Sequence, residues 1–186
     1  MKGLVLLVPL IALVGCASQG TGPSGTTAPR STEMQDAQGA VYRVESTGTV
    51  TDAVPIASPA ERVWAVLPGV YTQAGLSGVV LDEARKIFGQ RETTVRQRLA
   101  GTQVSRYLSC GSRLGIPNAD AYSVNVQIRT YVEATGAETS SVRTQVSARA
   151  RAPGGSDPWV QCGSTNALEL RIAELIRTHL AVVGGS

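Results

Sequence analysis

The clearest rhythm in the chain comes late. Tyr122, Val124, Val126, Ile128 and Val132 alternate with Ser123, Asn125, Gln127, Arg129 and Glu133. After a turn near Thr135-Gly136, Val142, Val146, Ala148 and Ala150 alternate with Arg143, Gln145, Ser147, Arg149 and Arg151. Period-two alternation puts one face of each strand in a core and the other in water, which predicts an antiparallel hairpin. Earlier, Tyr42, Val44, Val50 and Val54 share a parity and predict a strand ended by Pro55. Ser58, Pro59 and Glu61 then have the spacing of a capping box. Val63, Trp64, Leu67, Tyr71 and Ala74 follow at helical spacing up to Gly75, with Pro68 inside the helix as an expected kink. Between residues 76 and 113 the pattern predicts short strands at Ser77–Leu81 and Lys86–Gln90 around a turn at Asp82-Glu83, and a third at Thr102–Ser109. A Pro-Gly-Gly loop at 153–155 precedes a final helix from about Ser164 to Val183, with Leu168, Ile172, Leu175, Ile176 and Val183 on one face and Gly184-Gly185 as its stop.

The order is strand, helix, antiparallel strands, long helix. It predicts an α+β domain over residues 41–183 with two helices on one face of the sheet, then a tail at 184–186. There is no internal repeat.

The N-terminus has a different character. Met1-Lys2 precedes an apolar run from Leu4 to Val14 and then Gly15-Cys16. That run is too short to span a bilayer, which takes about 20 residues, and reads as a signal over residues 1–15. Leu13-Val14-Gly15-Cys16 resembles the bacterial lipobox. The resemblance implies cleavage before Cys16, a diacylglyceryl group on its thiol and an anchor in a lipid bilayer. Ala17 and Ser18, with no aspartate there, resemble outer-membrane sorting. Residues 16–40 hold the lipidated cysteine and then a Gly, Ser, Thr, Pro and Ala-rich tether.

The helix-opening segment Ala57-Ser58-Pro59-Ala60-Glu61-Arg62-Val63-Trp64-Ala65-Val66-Leu67 is similar in style to two helix-grip groups: the BamC-like outer-membrane lipoproteins of the barrel-assembly machinery and the START-like lipid-binding family. The lipobox and tether favour the BamC-like comparison. It implies a helix-grip fold, and a fold carries no activity by itself.

Composition narrows the chemistry. The formal charge of +3 is too mild for a nucleic-acid partner. With Cys16 lipidated, Cys110 and Cys162 remain. In an oxidising compartment they make a disulfide, or else two free thiols; neither sits in a Cys-x-x-Cys motif. His179 is the sole histidine and falls on the apolar face of the last helix, as a packed imidazole rather than a metal ligand. Walker, Gly-x-Ser-x-Gly and His-Glu-x-x-His motifs are all missing, so no cofactor, metal or catalytic residue is assigned. Asp82-Glu83, Asp120 and Asp157 lie near turns and read as turn chemistry.

Two basic surfaces remain. One is the segment with Arg85, Lys86, Arg91, Arg96, Arg98, Arg106 and Arg113 against Glu92 alone, where Tyr107 is a contact or a core residue. The other is the wet strand face with Arg43, Arg129, Arg143, Arg149 and Arg151. Guanidinium forks suit carboxylates and phosphates. The expected function is that of a non-enzymatic, outer-membrane-anchored, periplasm-facing lipoprotein that binds an envelope protein as an assembly accessory. The candidate contacts are Arg129, Arg143, Arg149, Arg151 and Arg106. The alternative is a START-like carrier holding an apolar ligand against Val63, Trp64, Leu67 and Leu175.

Overall fold

The computed structural model describes residues 30–35, 41–46, 52–154 and 157–184. The expected signal, Cys16, Ala17, Ser18 and Val50 lie outside the described residues. In chain order the elements are β1 (Arg30–Gln35), β2 (Val41–Ser46), β3 (Val54–Ile56), α1 (Ala60–Ala74), β4 (Val79–Asp82), β5 (Ile87–Arg96), β6 (Arg98–Leu99) and β7 (Thr102–Gln103). A 3-10 turn at Val104–Arg106 follows, then β8 (Leu108–Ser109), β9 (Ser112–Arg113), β10 (Ile116–Pro117), α2 (Asn118–Ala121), β11 (Ser123–Ala134), β12 (Ser140–Arg151), β13 (Val160–Ser164) and α3 (Ala167–Gly184).

The alternating segments form the hairpin at the centre of the sheet. β11 and β12 pair antiparallel without a break from Ser123 opposite Arg151 to Ala134 opposite Ser140. The seven-stranded antiparallel sheet runs β4-β5-β11-β12-β13-β8. β3 lies on the same edge of β12 as β13 but at its other end, against Ser140, Ser141 and Val142. Both long helices pack on one face of this sheet and on each other. Val63, Leu67 and Val70 of α1 and Leu168, Ile172 and Ile176 of α3 are fully buried in one cluster with Val124, Val126 and Ile128. The chain is therefore α+β with an antiparallel sheet, as its pattern predicts.

Local details depart from the pattern where tertiary contacts intervene. The capping box does not form: α1 begins after Pro59 with no side-chain cap. The Ser58 carbonyl instead accepts a hydrogen bond from Ser140 Oγ at 2.9 Å, and the Glu61 carboxylate is taken by Lys86 Nζ at 2.9 Å. At the other end Gly75 has φ 76°. Its N–H reaches the Thr72 carbonyl and that of Leu76 reaches Tyr71, the paired bonds of a left-handed helix stop.

The expected strand from Tyr42 to Val54 is two strands. β2 pairs with β1, which lies inside the segment read as tether, while β3 joins the main sheet. β5 runs past Gln90 to Arg96 because its pairing with β11 resumes beyond a bulge between Val126 and Ile128. Close by, a Cβ on Gly89 would collide with the Ile128 carbonyl, so glycine is required where the two backbones meet. Thr102–Ser109 is broken by the 3-10 turn. α3 starts at Ala167 rather than near Ser164, since Ser164 still pairs with Leu108, and it includes Gly184 instead of stopping before it.

Candidate binding surface on the open sheet face

The face of β11 and β12 turned away from the helices holds every residue of the polar parity. Its register sets side chains in rows across the strands. Thr94, Asn125, Arg149 and Gln161 form one row over β5, β11, β12 and β13. Arg129 sits opposite Gln145, and Tyr131 opposite Arg143.

These rows are tied by specific contacts. Asn125 Nδ2 donates to Glu92 Oε1 at 3.0 Å, and Asn125 Oδ1 accepts from Thr94 Oγ1 at 2.8 Å. Arg149 Nη2 reaches the same Glu92 oxygen at 3.0 Å. The Arg149 guanidinium also lies 4.9 Å from the centre of the Trp159 ring, and that of Arg151 lies 5.7 Å from it. Arg143 stacks over Tyr131 at 4.6 Å. An arginine held over an aromatic ring has lost much of its rotamer freedom before any partner arrives, and its guanidinium keeps N–H groups for a partner. Half-exposed ion pairs such as Arg149–Glu92 add little to stability in water. The arrangement orders cations more than it stabilises the fold.

Four of the five expected contact residues, Arg129, Arg143, Arg149 and Arg151, thus share one face. Arg106 does not join them: it lies on the 3-10 turn, outside the sheet, and its carbonyl accepts from Thr165 Oγ1 at 2.7 Å. The reason is the 3-10 turn itself, which takes the backbone out of the strand that the pattern predicts there. The side chain of Arg43 lies outside the described residues. Tyr107 is a core residue, 5% exposed, and its hydroxyl accepts from Arg171 Nη1 at 2.7 Å. The basic run from Arg85 is partly matched locally: Arg85 pairs with Asp82, and Lys86 pairs with Glu61 beneath the Trp64 ring.

Sequence reasoning missed Trp159, Tyr131 and Glu92 as parts of this face. Tyr131 was legible, being an aromatic on the wet parity of a strand. Trp159 was not, because only the pairing of β12 with β13 brings it beneath Arg149.

The other candidates fall in place around the core. Cys110 and Cys162 are joined by a disulfide, Sγ–Sγ 2.05 Å, which ties the end of β8 to β13. Asp82 Oδ1 accepts the Arg85 N–H, Asp120 Oδ1 accepts the Ser105 N–H, the Glu83 carbonyl accepts the Lys86 N–H, and Asp157 is exposed in a bend. His179 rests against Gly69 of α1, and its Nε2 lies 2.7 Å from Gln73 Oε1. Its polar edge meets the neighbouring helix rather than the carbonyls at the end of its own.

Among the described residues no group of three His, Cys, Asp or Glu side chains is placed to hold a metal ion. No described helix is long and apolar enough to cross a membrane. Val63 and Leu67 are fully buried, and Trp64 meets Phe88 edge-on at 6.0 Å. Two surface grooves, of about 540 and 430 Å³, are lined by other residues: one beside the disulfide, at Ser105, Leu108 and Cys110, the other between β3 and the end of α3, at Ile56, Arg62 and Leu180.

Comparison with family models, with curated proteins and with solved structures finds no match to this chain.

Proposed function

We propose that this chain is an envelope lipoprotein held to the outer membrane through acylated Cys16, with a tethered BamC-like helix-grip domain facing the periplasm. It acts as a non-enzymatic binding or assembly-accessory module. Its partner is another envelope protein with an acidic patch, which docks on the open sheet face. The lipobox-like Leu13-Val14-Gly15-Cys16 supports the anchor. Two helices on one face of an antiparallel sheet support the helix-grip reading.

The observation that carries the binding reading is the set of arginines held over aromatic rings on the open face, Arg143, Arg149 and Arg151, above all Arg149, which lies over Trp159 and pairs with Glu92. Such pre-ordered cations lower the entropy cost of meeting carboxylates and steer the encounter.

The test is to extract the lipoprotein from its own membranes in mild detergent and record native mass spectra without reductant, for the native chain and for Arg149→Glu. The variant places a second carboxylate beside Glu92. A protein complex held by the native chain and weakened by about tenfold or more in the variant is expected. A complex of equal strength in both removes the sheet face as the docking surface.

A further inference from the structure

The hairpin of β9 and β10 closes through Arg113-Leu114-Gly115-Ile116. Arg113 pairs with Ile116, so Leu114 and Gly115 form the two-residue loop, with φ 52° and 78°. A loop with both central residues at positive φ favours Asn-Gly or Gly-Gly, because an L side chain there crowds its own backbone. Leucine has no such tolerance. Nor does it gain burial: Leu114 is 95% exposed and Ile116 58%. Leu114 thus carries backbone strain and exposed apolar surface together, with no compensating burial among the described residues. A strained residue of this kind points outward to a function.

The base of the hairpin is fixed. The Cys110–Cys162 disulfide anchors its start. Buried Asn118 closes its end, donating Nδ2 to the Cys110 carbonyl at 3.1 Å and its N–H to the Gly111 carbonyl at 2.9 Å. A rigid base presents the tip instead of letting it fold back. From residue 96 to 117 the charged residues are Arg96, Arg98, Arg106 and Arg113, and there is no carboxylate among them.

We propose that this hairpin is an apolar finger that places Leu114 and Ile116 among the acyl chains at an anionic lipid surface, with the arginines of the same segment on the headgroup phosphates. An apolar tip carried by a segment whose charges from residue 96 to 117 are all cationic suits such a surface, with acyl chains below and negative charge above. Apart from Ser112 and Arg113 the finger offers no hydrogen-bonding side chain, which suits a medium without directional partners. The inference is independent of what binds the open sheet face.

The test uses the full chain as Leu114→Trp, beside the native chain with Trp64 and Trp159 as background. Each is mixed with vesicles of brominated phosphatidylcholine, alone or with phosphatidylglycerol. The added indole is expected to shift to the blue and lose emission to the brominated chains when phosphatidylglycerol is present, and far less without it. Arg106→Glu with Arg113→Glu in the Leu114→Trp background is expected to abolish that quenching. An added indole that stays unquenched in both vesicle types leaves the tip in water or in a protein pocket and overturns the proposal. Equal quenching with and without phosphatidylglycerol overturns its anionic part. Circular dichroism and an intact disulfide confirm that each variant is folded.

Discussion

The two faces of the β11–β12 hairpin use alternate residues of the same twelve-residue strands and come to opposite ends. On the helix-covered face Val124, Val126 and Ile128 are fully buried and Val132 and Val142 nearly so. On the open face Asn125, Arg129, Tyr131, Arg143 and Arg149 stay partly or fully in water. Both faces contain hydrogen-bonded polar groups. Tyr71 Oη, Thr130 Oγ1 and Thr144 Oγ1 form a buried chain at 2.8 and 2.9 Å, while Glu92, Asn125, Thr94 and Arg149 form an exposed one. The bonds are alike in length and differ in what replaces them when broken. Water takes over on the open face; on the covered face a lost partner leaves a dry orphan. The covered face therefore carries the stability, and the open face is free to carry binding.

Truncation of neighbouring residues breaks this comparison most directly. Ile128→Ala removes a fully buried side chain and is expected to cost about 3 kcal/mol in urea unfolding. Arg129→Ala, one residue on, is expected to leave the urea midpoint unchanged. Similar losses from both would mean that the open face is covered in solution.

Tyr71→Phe asks less of the fold. The ring stays against Phe88, 5.0 Å between centres, and only the hydroxyl is lost. Thr130 and Thr144 keep each other, so the expected cost is about 1 kcal/mol. Desolvation holds the Tyr71 phenol protonated well above the usual tyrosine range, so it stays uncharged at any working pH. The exposed counterpart, Asn125→Ala, is expected to change stability by less than Tyr71→Phe does. The reverse order would show that the buried chain is replaceable.

What was legible follows the same division. The strands of the hairpin, both long helices and the disulfide partners could be read because burial imposes a period, and an even pair of cysteines leaves one simple pairing. Even the buried polar chain left a trace. Thr130 and Thr144 interrupt the apolar parity at directly opposed positions, where a core residue is expected. The open face has no period of its own beyond being polar. Its rows depend on the bulge that shifts β5 against β11 and on the short β12–β13 pairing that brings Trp159 beneath Arg149, and neither is written locally. Arg106 looked equivalent to the sheet arginines by charge, yet the 3-10 turn sends it elsewhere. The lost capping box has a similar origin, since Lys86 from a distant segment takes the Glu61 carboxylate that would have closed it, while Ser140 holds the Ser58 carbonyl.

The smallest expected effect concerns a carboxylate on the buried side. Glu169, in the first turn of α3, is 2% exposed. Oε1 accepts from Ser164 Oγ, and Oε2 is buried with no hydrogen-bond partner among the described residues. Desolvation raises its pKa above the usual carboxylate range, while the bonds from Ser164 and from its own backbone N–H pull the other way. In the window between the ordinary carboxylate pKa and the raised one, the folded chain binds more protons here than the unfolded chain does. The contribution of Glu169 to stability is therefore greatest in acid and falls as pH rises through that window, then stays level above it. Glu169→Gln keeps an oxygen for Ser164 and removes the titration. The stability difference between variant and native chain, measured by urea unfolding from acid to neutral pH, is expected to shift toward the variant as pH rises and then to plateau. A difference that stays flat would place the Glu169 carboxylate in contact with water or with a cation, and the covered side would be wetter than its apolar contacts imply.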